Sequence, residues 1–274
     1  MIGQNFPLHP GALHMEDLIA LVWKAGIASA VLMLVVLAGQ RAGPLLASIA
    51  MTYPFNSGVG FALLMWDRSD AFMAEAGLAS FALTGGIFLF MTGFARAAPL
   101  GGFFLPWGIG IAFWIMVGAI PLIVPMTWPL AIALTLAGVL VAAFVMRKPK
   151  GPPIQAGGGV GTWRATVART VLGGTILGTV AVYAELLGPV VSGLLLAFPV
   201  MMSASLWILL RRFGEAFAAE TVYRSRWALA SYASFVFAVG LLSDVIGGIE
   251  AVVTGAAVAA AVSFGVYRLG RLAN

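Results

Sequence analysis

Residues 43–54 read GPLLASIAMTYP, and residues 188–199 read GPVVSGLLLAFP. Each stretch opens on Gly-Pro, runs through apolar and small residues, and closes on an aromatic residue followed by proline. The two stand 145 positions apart, and the same offset extends outward without a gap. Lys24 falls on Arg169, Asp70-Ala71-Phe72 on Glu215-Ala216-Phe217, Ala74-Glu75 on Ala219-Glu220, and Phe90 on Phe235. One residue out of that register, Gly101-Gly102 meets Gly247-Gly248. Chance matches between Leu- and Ala-rich segments are common; matches of proline, Gly-Pro and charge at one constant offset are not. The chain reads as an internal duplication.

The composition says what solvent the duplicated unit faces. Of 274 residues, 61% are hydrophobic and 9% charged, and the mean hydropathy is +1.03. A soluble domain averages about 45–50% apolar and about 25% charged residues. This excludes a water-soluble enzyme, a disordered chain and a nucleic-acid binder, and leaves a polytopic membrane protein whose first partner is the lipid bilayer. The net charge of +5 is then read as Lys and Arg in cytoplasmic loops. There is no cysteine, and the two histidines, His9 and His14, sit in the N-terminal tail. No disulfide, thiolate or histidine metal site is expected in the spans, and no cofactor. The tail lacks the basic start and cleavage pattern of a secretory signal, and Met15 stands as an alternative start.

Dividing the apolar runs at charges and proline clusters predicts nine spans of the length a bilayer requires. They are Leu18–Gly39, Ala42–Leu64, Ala71–Phe94, Gly101–Ile120, Trp128–Met146, Ala165–Leu187, Gly188–Leu210, Tyr223–Leu242 and Val245–Tyr267. With the N-terminus outside, 12 of the 15 Lys and Arg residues fall on the inner side. The carboxylates gather on the outer side, as the positive-inside rule requires. The expected fold is an all-α, polytopic transmembrane helix bundle of nine spans. Five spans separate equivalent points, so the second copy is inverted: a 4+1+4 inverted-repeat architecture. The segments are a tail (1–17), a first four-helix repeat (18–120), a linking helix (121–146), a cytosolic linker (147–163) and a second four-helix repeat (164–274). The linker Arg147–Gly161 is basic, then Pro-rich, then Gly-rich, which suits a flexible cytosolic connection. The location expected is a bacterial-type inner (plasma) membrane, with the C-terminus cytoplasmic.

Three sets of residues could carry chemistry. Pro54 and Pro199 lie about ten residues into equivalent spans, near the bilayer midplane at about 1.5 Å per residue. A proline there frees backbone carbonyls that lipid cannot satisfy. Broken helices at matching positions point to a midplane binding site, and Tyr53, Asn56, Ser57, Ser203 and Ser205 flank them. The bland reading is a pair of ordinary kinks.

Lys24 and Arg169 are cations inside spans. Glu75 and Glu220 lie at similar depths, so ion pairs Lys24–Glu75 and Arg169–Glu220 are expected, with substrate binding or proton coupling as their use. Structural pairing or snorkelling toward headgroups is the alternative. Glu185, equivalent to Gln40, is a candidate proton-coupling carboxylate, or else a helix-end residue in the headgroup layer. The small residues of the third and last spans (among them Gly85, Gly86, Gly93 and Gly255) read as close-packing faces.

The second copy, Glu185 to Leu242 with LLGPVVSGLLLAFPV and SYASFVFAV, resembles the small GlpM-type inner-membrane proteins. The similarity covers this repeat well and the first loosely. It implies an inner-membrane protein built of four-span units and transfers no catalytic residue. The small multidrug exporters need an acidic residue in the first span, where this chain has Lys24 and Arg169. The fluoride channels share the four-plus-one-plus-four plan, but their Thr-Thr-Phe-Ser signature is missing.

Together these features predict a secondary transporter or flippase for a small anionic or zwitterionic substrate. The rivals are a non-transport assembly or complex subunit, marked by the lack of a midplane cavity, and an ion channel, marked by a continuous polar stripe. No nucleophile–base arrangement argues for an enzyme.

Overall fold

The computed structural model describes residues 15–41, 53–146 and 163–272. The histidines of the tail, the Gly43-Pro44 step and the linker Arg147–Gly161 lie outside the described residues. Within them the helices are α1 (Met15–Arg41), α2 (Phe55–Leu64), α3 (Asp70–Ala97), α4 (Phe104–Gly118) and α5 (Trp128–Val145). They continue with α6 (Trp163–Leu196), α7 (Val200–Phe213), α8 (Glu215–Ser225), α9 (Leu229–Ile246) and α10 (Gly248–Leu272). Short helical turns link some of them, and no strand occurs among the described residues.

Seven helical stretches among the described residues are long and apolar enough to cross a membrane; they begin at Met15, Asp70, Phe104, Trp128, Thr166, Leu229 and Gly248. The chain is an integral, multi-pass membrane protein that contacts lipid. Two of the nine expected spans are not counted separately. The span expected over 42–64 is described only from residue 53 onward, where α2 has 10 residues. At Gly188 the backbone is non-helical, so α6 is two helices meeting across a kink, at the boundary expected between the spans over 165–187 and 188–210. Gly188 sits at φ 73°, ψ 168°, a conformation that glycine adopts without a Cβ clash, and Pro189 resumes the helix. The chain then breaks at Phe198-Pro199 before α7.

The core forms around α3. Of its membrane-length window 83% is buried inside the protein, against 17–50% for the other six, so it is the central helix. Its sequence fits that place. Ser69 Oγ accepts from the Phe72 amide at 3.3 Å, and Asp70 in the first turn and Arg96 in the last complement the helix dipole. Phe90, Phe94, Met91 and Leu83 are fully buried. Gly77 meets the Gly240 backbone and Gly85 meets Gly138, so α9 and α5 approach at backbone distance. The small residues of this span are used for close packing, as their spacing suggests.

Several positions 145 apart share local geometry. Pro54 has φ −76°, ψ 52° and Pro199 has φ −78°, ψ 51°. The Phe55 amide donates to Tyr53 O at 2.8 Å, and the Val200 amide donates to Phe198 O at 2.8 Å. Each proline therefore forms a tight inverse γ-turn and then starts a helix, where its missing N–H is no loss. One residue out of that register, Gly101 (φ 93°) and Gly247 (φ 98°) both take left-handed backbone ahead of a helix.

The related parts also touch one another. Helices α1 and α6 pack antiparallel: Gly178 lies against Ala25, Gly174 against Ser29, and Gly173 against Leu32. Ser29 and Gly174 are themselves offset equivalents. The Gly248 amide donates to Asp70 Oδ1 at 2.6 Å, and the Gly102 amide donates to Glu215 Oε1 at 3.3 Å. Asp70 and Glu215 match in the sequence, as do Gly102 and Gly248, so the same contact is made twice, crosswise.

Candidate functional site

The site is built from three pieces of backbone: the face of α6 carrying Arg169 and Gly173, and the starts of α2 and α7. Neither α2 nor α7 has a side-chain cap on its first turn. First-turn amides of a helix lack intrahelical partners, and the helix dipole makes that end attractive to anions. Asn56 and Met201 occupy the second position of each helix and are 145 apart in sequence. A Cβ built on Gly173 would lie 3.4 Å from Met201 Sδ and 3.8 Å from Asn56 Oδ1. The two half-helix starts thus converge on one point of α6. Arg169 lies one turn back on the same face. Its Nη1 donates to Ser205 Oγ at 3.2 Å, and Ser205 is one turn on from Met201.

Two groups here stand out electrostatically. Arg169 is 8% exposed, and its Nε is buried without a hydrogen-bond partner. None of the three ion pairs among the described residues includes it. Asn56 Oδ1 is likewise buried and unpartnered. A buried guanidinium with no carboxylate is costly in an apolar interior.

The proline breaks satisfy the rest of their backbone locally. Ser57 Oγ donates to Leu196 O at 2.9 Å, so a carbonyl at the end of α6 is met by a residue from the other break. Ser80 Oγ donates to Gly193 O at 2.7 Å. Tyr53 turns away and donates to Ala256 O on α10 at 3.0 Å. Ser203 accepts from Trp107 Nε1 at 3.0 Å. Of the residues expected to line a site, Asn56 and Arg169 are brought together beside Pro54 and Pro199. Tyr53, Ser57 and Ser203 are committed to structural hydrogen bonds.

Both expected ion pairs are corrected. Lys24, 5% exposed, pairs with Asp67 rather than with Glu75. Asp67 lies in the turn between α2 and α3, whereas Glu75 sits on the exposed side of α3. Glu220 pairs with Arg224 rather than Arg169. The reason is proximity: Arg224 is one turn along the same helix. Lys24 also does not join the Arg169 site. Because α1 and α6 run antiparallel, Arg169 lies level with a point on α1 about ten residues from Lys24, or about 15 Å along the axis.

Glu185 accepts from Arg68 Nη1 at 3.2 Å, and its side chain is 88% exposed. It is a surface residue bridging to the turn before α3. Sequence reasoning missed Asp67 and Arg68 as partners. It aligned Asp70 with Glu215 and Gly102 with Gly248 without pairing them.

Two hollows among the described residues lie elsewhere. One, of about 340 Å³, is lined by Trp163, Arg164, Val167, Ala168 and Val171. The other, of about 200 Å³, is lined by residues such as Trp114, Gly118 and Leu194. Neither includes Pro54, Asn56 or Pro199. Among the described residues no cluster of His, Cys, Asp or Glu could hold a metal ion. No protein-family model, curated protein or solved structure matches this chain.

Proposed function

We propose that the chain is a secondary transporter or flippase for a small anionic or zwitterionic substrate. The observation that carries this is the convergence of two uncapped half-helix starts on α6, beside a buried arginine with no carboxylate. Broken helices whose positive ends point at one midplane location are how many transporters hold anionic groups. The crosswise contacts of Asp70 and Glu215, and the antiparallel meeting of Ser29 with Gly174, support the 4+1+4 inverted repeat. In that architecture the chain crosses nine times, with its N-terminus outside a bacterial-type inner membrane. The likeness to GlpM-type proteins fits a doubled four-span unit. A non-transport assembly subunit is the second reading, favoured by the hollows lying away from the breaks. Among the described residues many Ser and Thr hydroxyls donate to backbone carbonyls, which weighs against a channel.

Two experiments test this. The chain has no cysteine, so single cysteines can be mapped without background. Cysteines at positions 67 and 155 should label from opposite sides of the membrane; labelling from one side sinks the nine-span orientation. Reconstituted vesicles should take up or flip labelled anions or zwitterions above empty-vesicle levels. No signal across a panel of carboxylates, phosphates and zwitterionic headgroups would leave the subunit reading ahead.

A further inference from the structure

Arg169 has one edge in use and one free. Its Nη1 is held by Ser205 Oγ, which itself donates to Met201 O at 2.7 Å, so the guanidinium plane is fixed from α7. The Nε–Nη2 edge makes no hydrogen bond among the described residues, and Nε is buried. That edge presents two parallel N–H groups in the fork that matches two oxygens of one phosphate or carboxylate. The ten carboxylates of the chain are all described, and none pairs with it. A lysine at the equivalent depth, Lys24, does have an in-chain carboxylate. Of the two buried cations among the described residues, Arg169 is the one without a counter-charge.

The second unpartnered group narrows the ligand. Asn56 Oδ1 can only accept, so it calls for a donor on the bound molecule. It lies at Gly173, one turn of α6 from Arg169. A simple inorganic anion fills one of these needs; a molecule that carries both an oxyanion and an ammonium fills both.

We propose that Arg169 and Asn56 form a binding site for a phosphoryl zwitterion of the phosphoethanolamine type. The phosphoryl oxygens sit on the free Nε–Nη2 edge, and the ammonium donates to Asn56 Oδ1. The molecule is either free in solution or the headgroup of a lipid; the chemistry of recognition is the same. This rests on the transport reading for its location and names the substrate class of that site.

Binding to the full-length protein in a non-ionic detergent tests it without any gradient. The probes are O-phosphoethanolamine and inorganic phosphate, read by calorimetry, with phosphatidylethanolamine retention read by native mass spectrometry. O-phosphoethanolamine is expected to bind about tenfold tighter than phosphate, a difference of about 1.4 kcal/mol. Asn56→Leu should erase that preference and leave phosphate affinity unchanged. Arg169→Met should weaken both at least tenfold, Arg169→Lys should weaken them less, and Arg164→Gln should change nothing.

If Arg169→Met fails to give a monodisperse protein, Arg169→Lys and Asn56→Leu decide. Arg169-dependent retention of the lipid without binding of the soluble zwitterion identifies the headgroup as the source. Binding of every probe that is indifferent to Arg169 and Asn56, or no binding by wild type, overturns the proposal. Arg169-dependent binding in a protein that moves nothing across vesicles would overturn the transport reading and leave the site standing.

Discussion

The interface between α1 and α6 carries a buried cation at each end, and the two ends are wired differently. At one end Lys24 meets Asp67, a residue in the turn before α3. At the other end lies Arg169, its equivalent by the 145-residue offset, with a serine hydroxyl as its hydrogen-bond partner. The position matching Asp67 is 212, and it is an arginine. The two offset-related positions both carry a cation, but only one of them has a carboxylate partner. Burying a charge costs several kcal/mol unless it is paired. The paired end therefore reads as architecture, and the unpaired end as a place kept costly for use.

The α1–α6 contact is most sensitive at its middle. Gly174 approaches the Ser29 backbone at 2.6 Å from where a side chain would begin. Gly174→Val should force α1 and α6 apart and cost about 3 kcal/mol or more, at or beyond the usual range for overpacking. Loss of a monodisperse peak on size exclusion is the expected readout; normal unfolding would mean the helices do not meet as described.

Next in size is the paired end. Asp67→Asn leaves Lys24 buried without its counter-ion. The cost should be about 1–3 kcal/mol in thermal unfolding. That is below the 3–5 kcal/mol of a fully buried pair, because the Asp67 side chain is 47% exposed. Adding Lys24→Met should recover most of it, and a double mutant no better than the single would sink the pairing.

The unpaired end should respond in the opposite sense. Arg169→Met, measured without ligand, removes an uncompensated charge and should stabilise by about 1–2 kcal/mol. Lys24→Met alone should gain nothing. Equal effects at the two positions would erase the distinction drawn between them.

The smallest expected effects concern the crosswise contacts. Asp70→Ala should cost about 1 kcal/mol, as for loss of a helix cap. Glu215→Ala should cost about half that, since its bond is longer and exposed. Amide exchange at Gly248 and at Gly102 would report each contact separately. Faster exchange at neither amide would refute the pairing.

Much of the scaffold was legible in the sequence because it depends on patterns along one chain. Apolar runs of membrane length marked the helices. The aromatic-Pro steps marked positions that proved to share backbone geometry. What could not be read was direction. Lys24 and Glu75 are at similar depth, but they stand on faces that do not meet, and depth alone cannot distinguish Glu75 from Asp67. Arg169 and Asn56 were marked as polar residues in apolar surroundings. That they share α6 as a common neighbour depends on the bend at Gly188, which returns the chain so that the starts of α2 and α7 face one another. A proline motif announces a break; where the broken ends point is decided by tertiary packing.

The crosswise hydrogen bonds have the form of an isologous interface, in which patch a meets patch b and b meets a. Two identical chains associating about a two-fold axis make every contact in duplicate; here one chain supplies both partners. Neither half finishes its own helix starts. The amide at the head of α10 is closed by a carboxylate from the first half, and the Gly102 amide by one from the second. A chain severed in the linker would leave each fragment with one stranded carboxylate and one stranded amide, and co-expressing the fragments would restore both. Mutational drift in either half is therefore felt by the other, as it would be across a subunit boundary.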